Sequence, residues 1–298
     1  MSQFHPDKSQ FSKLKGKVVV LTGGAAGIGA STVRYLHKAG ALIVFGDVQD
    51  DAAESLLSSL SNPSTITYIH TDVTKYAENI KLFKTALEKY GRVDHASPIA
   101  GVIESGRWFD PSLTIETVEK EESRMTIDVN LIGTAMFARI AVVYLRHGKQ
   151  EGEDKSLTLI SSAAGFRESP GIPLYQCSKH GVMGLMRTLR KQLYRGFGIR
   201  INCVNPGMTD TQMTQSIIEA FKTTNQPINT ADDIAETILG VMTTEGFYGK
   251  AVYVEGGKNW EIEEGLERTM PQWVGEEPAR RIKEALAVVD TGDAWKVR

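Results

Sequence analysis

Two cysteines in 298 residues, Cys177 and Cys203, are too few for a disulfide framework and point to a reducing compartment. Neither sign of charge is in excess: 34 Lys and Arg stand against 36 Asp and Glu, a net charge of -2. That balance argues against a protein devoted to coating nucleic acid or anionic membrane. No uninterrupted apolar run approaches the roughly 20 residues that span a bilayer. The opening MSQFHPDKSQFSKLKGK lacks the apolar core of a secretory signal. The six histidines show no metal-ligand spacing, so no metal site is expected. Repeats and low-complexity linkers are missing as well. What remains is a chain of ordinary globular composition, 41% hydrophobic and 23% charged, expected in the cytoplasm.

What is present is a rhythm. The β-branched run Lys17-Val18-Val19-Val20-Leu21 ends at a glycine cluster, residues 22–29. A helical stretch follows, with apolar Val33, Leu36 and Ala39, and Gly40 stops it. A second apolar run, residues 41–45, ends at Gly46-Asp47. Strand, glycine turn, helix and strand make a βαβ unit, and continuous apolar strands fit a parallel sheet covered on both faces. The alternation goes on, with strands predicted at 65–70, 93–100, 156–160, 199–204 and 251–254 and helices at 50–60, 76–90, 123–146 and 178–194. Seven strands in one sheet predict one domain. Two regions break the rhythm: the polar segment 206–230, and the tail from Lys258, which carries Trp260, Trp273 and Trp295.

The glycine turn has a chemical use. Glycines let backbone approach a pyrophosphate, and the helix N-terminus behind them offers amide donors and a positive dipole. A glycine-rich turn alone would be unremarkable, but this one lies between strand and helix, and an acid closes the next strand. Asp47 stands 18 residues beyond Gly29 (47 − 29), near the spacing of a ribose-binding carboxylate. It would accept from both adenosine ribose hydroxyls and repel a 2′-phosphate. The positions where a basic residue would hold that phosphate are Ala26 and Val48, so NAD is expected over NADP.

Tyr175 and Lys179 lie four residues apart in Tyr175-Gln176-Cys177-Ser178-Lys179, at the opening of a helix. Four residues put both on one helical face. Tyrosine ordinarily titrates near about 10, too high for acid–base work at neutral pH. A neighbouring ammonium favours the phenolate and brings it into range. The spacing alone is weak; its weight comes from its place at the carboxyl edge of a parallel sheet, beside the glycine turn.

With these motifs the chain resembles the short-chain dehydrogenase/reductase family over roughly residues 14–257. The family's TGxxxGxG matches Thr22, Gly23, Gly27, Ile28 and Gly29 within residues 22–29, and its YxxxK matches Tyr175 and Lys179. Its catalytic serine matches Ser162, and its tetrad asparagine matches Asn130. Asp72-Val73 match the pair that meets adenine. Pro206-Gly207 match the turn beside nicotinamide, with Thr211 near the carboxamide and Thr209 as a further cofactor contact. Where the family usually reads NNAG, this chain has Pro98-Ile99-Ala100-Gly101; Ala100 and Gly101 are retained as cofactor contacts, and stability or cofactor affinity is put in doubt more than chemistry. Within the family the chain resembles a fungal branch similar to 15-hydroxyprostaglandin and 5′-hydroxyaverantin dehydrogenases, through Asp47 and the GKNWEIEEG segment.

The resemblance implies an α/β fold: a single Rossmann-type, doubly wound domain over 14–257, a seven-stranded parallel sheet with helices on both faces. A leader, 1–13, and a C-terminal extension, 258–298, would flank it. It implies an NAD-dependent enzyme that interconverts a secondary alcohol and a ketone. Tyr175 would be the proton-transferring group, and Lys179 would lower its pKa and bind ribose. Ser162 would hydrogen-bond the substrate oxygen, and Asn130 would anchor a relay water. The helices near 130–145 and 182–193 imply a homodimer or homotetramer. Apolar residues in 103–113, 166–174, 208–226 and the tail, among them Trp108, Phe109, Met208, Met213 and Phe221, suit a bulky hydrophobic alcohol or ketone. The tail either packs on its own surface or closes over a pocket. Cys177 reads as a small packed residue, and the acidic run 119–123 as a solvated helix start. Two alternatives stay open: a ketoreductase working in the opposite direction, and a dinucleotide-binding regulator or cyclase without redox turnover.

Overall fold

In a computed structural model, residues 3–61 and 63–289 are described. The strands are β1 (Val18–Thr22), β2 (Leu42–Asp47), β3 (Ile66–His70), β4 (His95–Pro98), β5 (Lys155–Ile160), β6 (Ile199–Pro206), β7 (Ala251–Glu255) and β8 (Lys258–Glu261). They form one sheet in the order β3-β2-β1-β4-β5-β6-β7-β8. The helices before β5 are α1 (Gly27–Lys38), α2 (Asp50–Ser59), α3 (Tyr76–Tyr90), α4 (Ile115–Val118), α5 (Met125–Ile127) and α6 (Thr134–Arg146). Beyond it come α7 (Pro173–Phe197), α8 (Gln215–Thr223), α9 (Ala231–Thr243), α10 (Glu263–Val274) and α11 (Glu276–Val289).

Every residue of β1 is buried, because both faces of the sheet are covered. Alternation divides the strand between two cores. Val18 and Val20 face a cluster with Phe83, Phe137, Met183 and Met186 from α3, α6 and α7. Val19 and Leu21 face Val33, Leu36, Ile234 and Ile238 from α1 and α9. Parallel pairing of β1 with β2 and β4 sends the chain off in opposite directions on either side of β1. That reversal opens a crevice at the carboxyl ends of the strands, where doubly wound sheets bind ligands.

The sheet has eight strands, not the expected seven, and the eighth is antiparallel. Its cause is legible in the turn: Gly256 and Gly257 both have positive φ, +55° and +71°, the conformation of a two-residue hairpin. The segment read as an extension therefore begins by completing the sheet. It continues as α10 and α11, tied to α7 by Arg187 and Arg190, which bridge to the buried Glu263. Trp295 lies outside the described residues.

The expected long helix over 123–146 starts at Met125 and is broken by a π-helical turn, Asp128–Gly133. The run 119–123 is not the start of that helix. Met125–Arg146 is long and apolar enough to cross a bilayer. Its apolar side chains Phe137, Ile140 and Leu145 are used against the sheet instead.

Candidate active site

The glycine turn between β1 and α1 closes too tightly for side chains. A Cβ on Gly23 would sit 2.5 Å from the Ala100 nitrogen, and Gly23 itself has φ +69°. A Cβ on Gly29 would lie 1.8 Å from the Gly23 carbonyl oxygen. Ala26, the N-cap of α1, makes no side-chain cap, so the first-turn N–H groups of α1 face the crevice free for an anion. A cleft of about 1260 Å³ opens there. Gly23, Gly27, Ile28, Gly29, Asp47, Asp72, Val73, Ala100, Gly101 and Thr211 line it. Thr22, Pro206, Gly207 and Thr209 do not. Thr22 is buried in β1, and Thr209 turns its hydroxyl back to the Gly207 carbonyl at 3.0 Å. Lys120, Glu121, Glu122, Ser123 and Arg124 also line the cleft, so the acidic run is solvated as expected but forms part of the cleft rim and not a helix start.

Asp47, at the carboxyl end of β2, is buried and already holds the local backbone. Its Oδ2 accepts from the Ala25 N–H at 2.9 Å and its Oδ1 from the Gln49 N–H at 3.0 Å. It therefore braces the glycine turn while presenting a carboxylate to the cleft. The residues fit a dinucleotide: glycines that leave backbone bare, an open helix N-terminus, and a carboxylate at the end of the next strand.

Tyr175 lies in the first turn of α7 and Lys179 one turn on. The Lys179 ammonium is 5.5 Å from the centre of the Tyr175 ring and donates to the Ile160 carbonyl at 3.3 Å. Lys179 is only 6% exposed, and no carboxylate pairs with it among the described residues. Burial alone pushes its pKa down to about 8. Burial pushes the Tyr175 phenol up, while a hydrogen bond from Ser162 works in the other direction. Ser162 caps the turn after β5, its Oγ accepting from Ala164 N–H at 3.2 Å. Asn130 sits in the π-helical turn and grips Val102 at both ends. Its Oδ1 accepts from Val102 N–H at 2.8 Å and its Nδ2 donates to Val102 O at 2.9 Å. The same Nδ2 reaches Ser178 Oγ at 3.3 Å, and Ser178 donates to the Tyr175 carbonyl at 2.7 Å.

The four candidate catalytic residues are outside the cleft lining, but Gly101 joins the two. A Cβ there would lie 3.3 Å from Asn130 Oδ1 and 3.7 Å from Lys179 Nζ. The ammonium thus borders the end of the cleft, and among the described residues two of its three donors are unspent on protein. Glu104 is a further polar group at this junction, its Oε2 accepting from the Tyr175 N–H at 2.7 Å. Sequence reasoning passed it over; its signal was a lone acid between apolar residues and glycine.

The family described as short chain dehydrogenase matches residues 17–221. A borneol dehydrogenase from Lavandula x intermedia is 34% identical over 252 residues, covering 82% of this chain and 91% of that one. The short-chain dehydrogenase/reductase prx4 of Penicillium roqueforti is 30% identical, over 92% of this chain and 85% of its own. Among solved structures, a 3-ketoacyl-(acyl-carrier-protein) reductase from Brucella melitensis, complexed with NADH, superposes with a TM-score of 0.71. It is 22% identical and covers 82% of this chain and 98% of that one, a likeness of fold. With its glycine turn, its Tyr175–Lys179 helix and these relatives, the chain belongs to the short-chain dehydrogenase/reductase family of alcohol and ketone oxidoreductases.

Proposed function

We propose that this chain interconverts a secondary alcohol and a ketone on a bulky hydrophobic small molecule, with NAD as cofactor. The observation that carries the reading is the buried Lys179 ammonium beside Tyr175, at the end of the glycine-lined cleft. Bound nicotinamide supplies the hydride acceptor or donor. Lys179 holds a positive charge near the phenol, which favours the phenolate, and has donors free for ribose hydroxyls. Tyr175 takes the proton from the alcohol oxygen in oxidation and returns it in reduction. Ser162 donates to that oxygen, and the π-helical turn at Asn130 orders the proton path behind Lys179.

Asp47 supports NAD over NADP, since a 2′-phosphate would meet a buried carboxylate, with Ala26 and Val48 where a cation would be needed. Exposed apolar side chains that line the cleft, Ile103, Met125 and Met213, support a hydrophobic substrate. The name of the lavender relative, a borneol dehydrogenase, agrees with a hydrophobic secondary alcohol. Val143 and Ile132 are exposed on one of the two helical segments that would pair in a homodimer or homotetramer, and a monomeric mass in sedimentation refutes that assembly. Two free thiols fit a cytoplasmic setting.

The test is a panel of secondary alcohols and ketones with NAD(H) and NADP(H), followed by nicotinamide absorbance. Tyr175→Phe is expected to lower turnover by about 10²- to 10⁴-fold. Unchanged turnover in that variant sinks the mechanism, and a strong preference for NADP sinks the Asp47 argument. A wild type that binds the dinucleotide but turns over nothing in the panel favours the non-redox alternative.

A further inference from the structure

Glu104 is a charged residue in an apolar, glycine-flanked stretch, Gly101-Val102-Ile103-Glu104-Ser105-Gly106. A carboxylate drawn into such a place needs donors. It finds one 71 residues away, where the Tyr175 N–H donates to Oε2 at 2.7 Å. The other oxygen, Oε1, is buried without a hydrogen-bond partner. We propose that Glu104 is a positioning residue for Tyr175: it caps the catalytic helix from the arm that follows β4, and so fixes the phenol against the cofactor-lining wall.

The helix lacks a cap of its own. Ile172 occupies the N-cap position and makes no side-chain bond, and Pro173 follows with no N–H to offer. Tyr175 is the third helical residue, and its N–H is one of the donors that a helix start leaves unpaired. Ser, Asp or Asn at position 172 would satisfy it locally. Here the acceptor comes from another part of the chain, and its negative charge also suits the positive end of the helix.

The other end of the tie is rigid. Asn130 holds both backbone groups of Val102. Thr126 Oγ1 accepts from Ser105 N–H at 3.1 Å and donates to the Ile103 carbonyl at 3.3 Å. Ala100, Gly101, Val102 and Ile103 line the dinucleotide cleft. Glu104 therefore joins a wall of the cofactor cleft directly to the residue that moves the proton. Its unpartnered oxygen is a local cost of the kind chains retain where function requires the placement.

The consequence is kinetic. Without the tie, the first turn of α7 frays and the phenol wanders, while the glycine turn, Asp47 and Lys179 remain in place. Glu104→Leu is expected to lower kcat by about 10- to 100-fold, with the dissociation constant for NAD within about twofold of wild type. Glu104→Gln keeps an amide oxygen for the Tyr175 N–H and is expected to recover kcat to within about threefold. Both variants are assayed beside the wild type with a responding alcohol, with NAD binding followed by fluorescence titration and folding by thermal melts. The proposal rests on Tyr175 as the proton-transferring group, so an inactive wild type that binds NAD overturns both. With an active wild type, three results overturn the positioning role alone. They are a Leu variant at wild-type kcat, NAD affinity and melting temperature falling along with kcat, and a Gln variant as slow as Leu.

Discussion

Replacing Lys179 by methionine should make the cofactor-free protein more stable and nearly inactive. Lys179 is 6% exposed, its ammonium has one acceptor among the described residues, the Ile160 carbonyl, and its pKa falls from 10.5 to about 8 because burial disfavours the charged form. A depression of that size, at about 1.4 kcal/mol per unit, means roughly 3 kcal/mol of folding free energy lost to the buried charge at pH 7. Methionine has similar length, fills the space without charge, and gives up one hydrogen bond of about 1 kcal/mol. The net gain is about 2 kcal/mol, or roughly 4 °C in Tm for a chain of this size. The sign of the pH dependence is a second check. Between about pH 8 and 10.5 the unfolded chain holds the Lys179 proton and the folded chain does not, so wild-type stability rises through that window relative to the variant. Melts at pH 7 and pH 10 should show a large Met advantage at the first and little at the second. Turnover should fall by about 10²- to 10⁴-fold, since the phenol loses its neighbouring charge. A Met variant that melts below wild type at pH 7, or a difference that ignores pH, refutes the reasoning that burial of this charge opposes folding.

Gly29→Ala places a Cβ 1.8 Å from the Gly23 carbonyl, so the turn must open; dinucleotide affinity is expected to fall by at least about 100-fold in fluorescence titration. Asp94 is fully buried with Lys155 and bound by Arg92 and the Val18 N–H, which hold its carboxyl down at about 2. Asp94→Asn leaves Lys155 buried opposite a neutral amide and is expected to cost about 3–5 kcal/mol in urea unfolding at pH 7. Because the folded pKa lies below the unfolded one, this group's stabilisation is complete above about pH 4. It is lost as pH falls toward about 2, a step the Asn variant should lack. Thr158 is fully buried with a hydroxyl that finds no partner, so Thr158→Val should melt within about 1 °C of wild type or above it.

The stretch from Val18 to Asp47 was readable because each step has a local cause: a β-branched strand, glycines that the turn requires, and an acid at the next strand's end. The same is true of α3, whose expected span, 76–90, agrees with Tyr76–Tyr90. Where cause is distant, reading failed. The eighth strand needed Gly256-Gly257 to be seen as a hairpin turn rather than the end of a domain. α8 was absorbed into the polar segment 206–230, and no helix was expected at α9 although Thr230 and Asp233 form a capping box at its start. The π-helical turn at Asn130 has no sequence periodicity of its own; it is set by the grip of Asn130 on Val102, 28 residues away. Asp47 was legible as the acid that closes the second strand, but its support of Ala25 N–H was not, since that bond exists only once the turn has closed.

The departure at Pro98-Ile99 shows how the arm beyond β4 is held. Pro98 pairs with Thr22 at the end of the β1–β4 ladder and, lacking an N–H, cannot extend pairing toward β5. Pairing with β5 runs from His95 to Ala96, and the Ser97 hydroxyl takes the Thr158 carbonyl at 2.7 Å instead. Ile99 still donates its N–H to the Thr22 carbonyl at 3.2 Å, but its side chain packs into the α1–α9 core. Apolar packing thus stands where the family usually has two amides, and the Thr22 and Thr158 hydroxyls beside it are left buried without partners. The polar support lies farther along: Asn130 on Val102, Thr126 on Ile103 and Ser105, and Glu104 on Tyr175. These three side chains come from the helix wall and the arm itself rather than from the strand. The departure at Pro98-Ile99 therefore bears on the strand, while the placement of Tyr175 depends on Asn130, Thr126 and Glu104 beyond it.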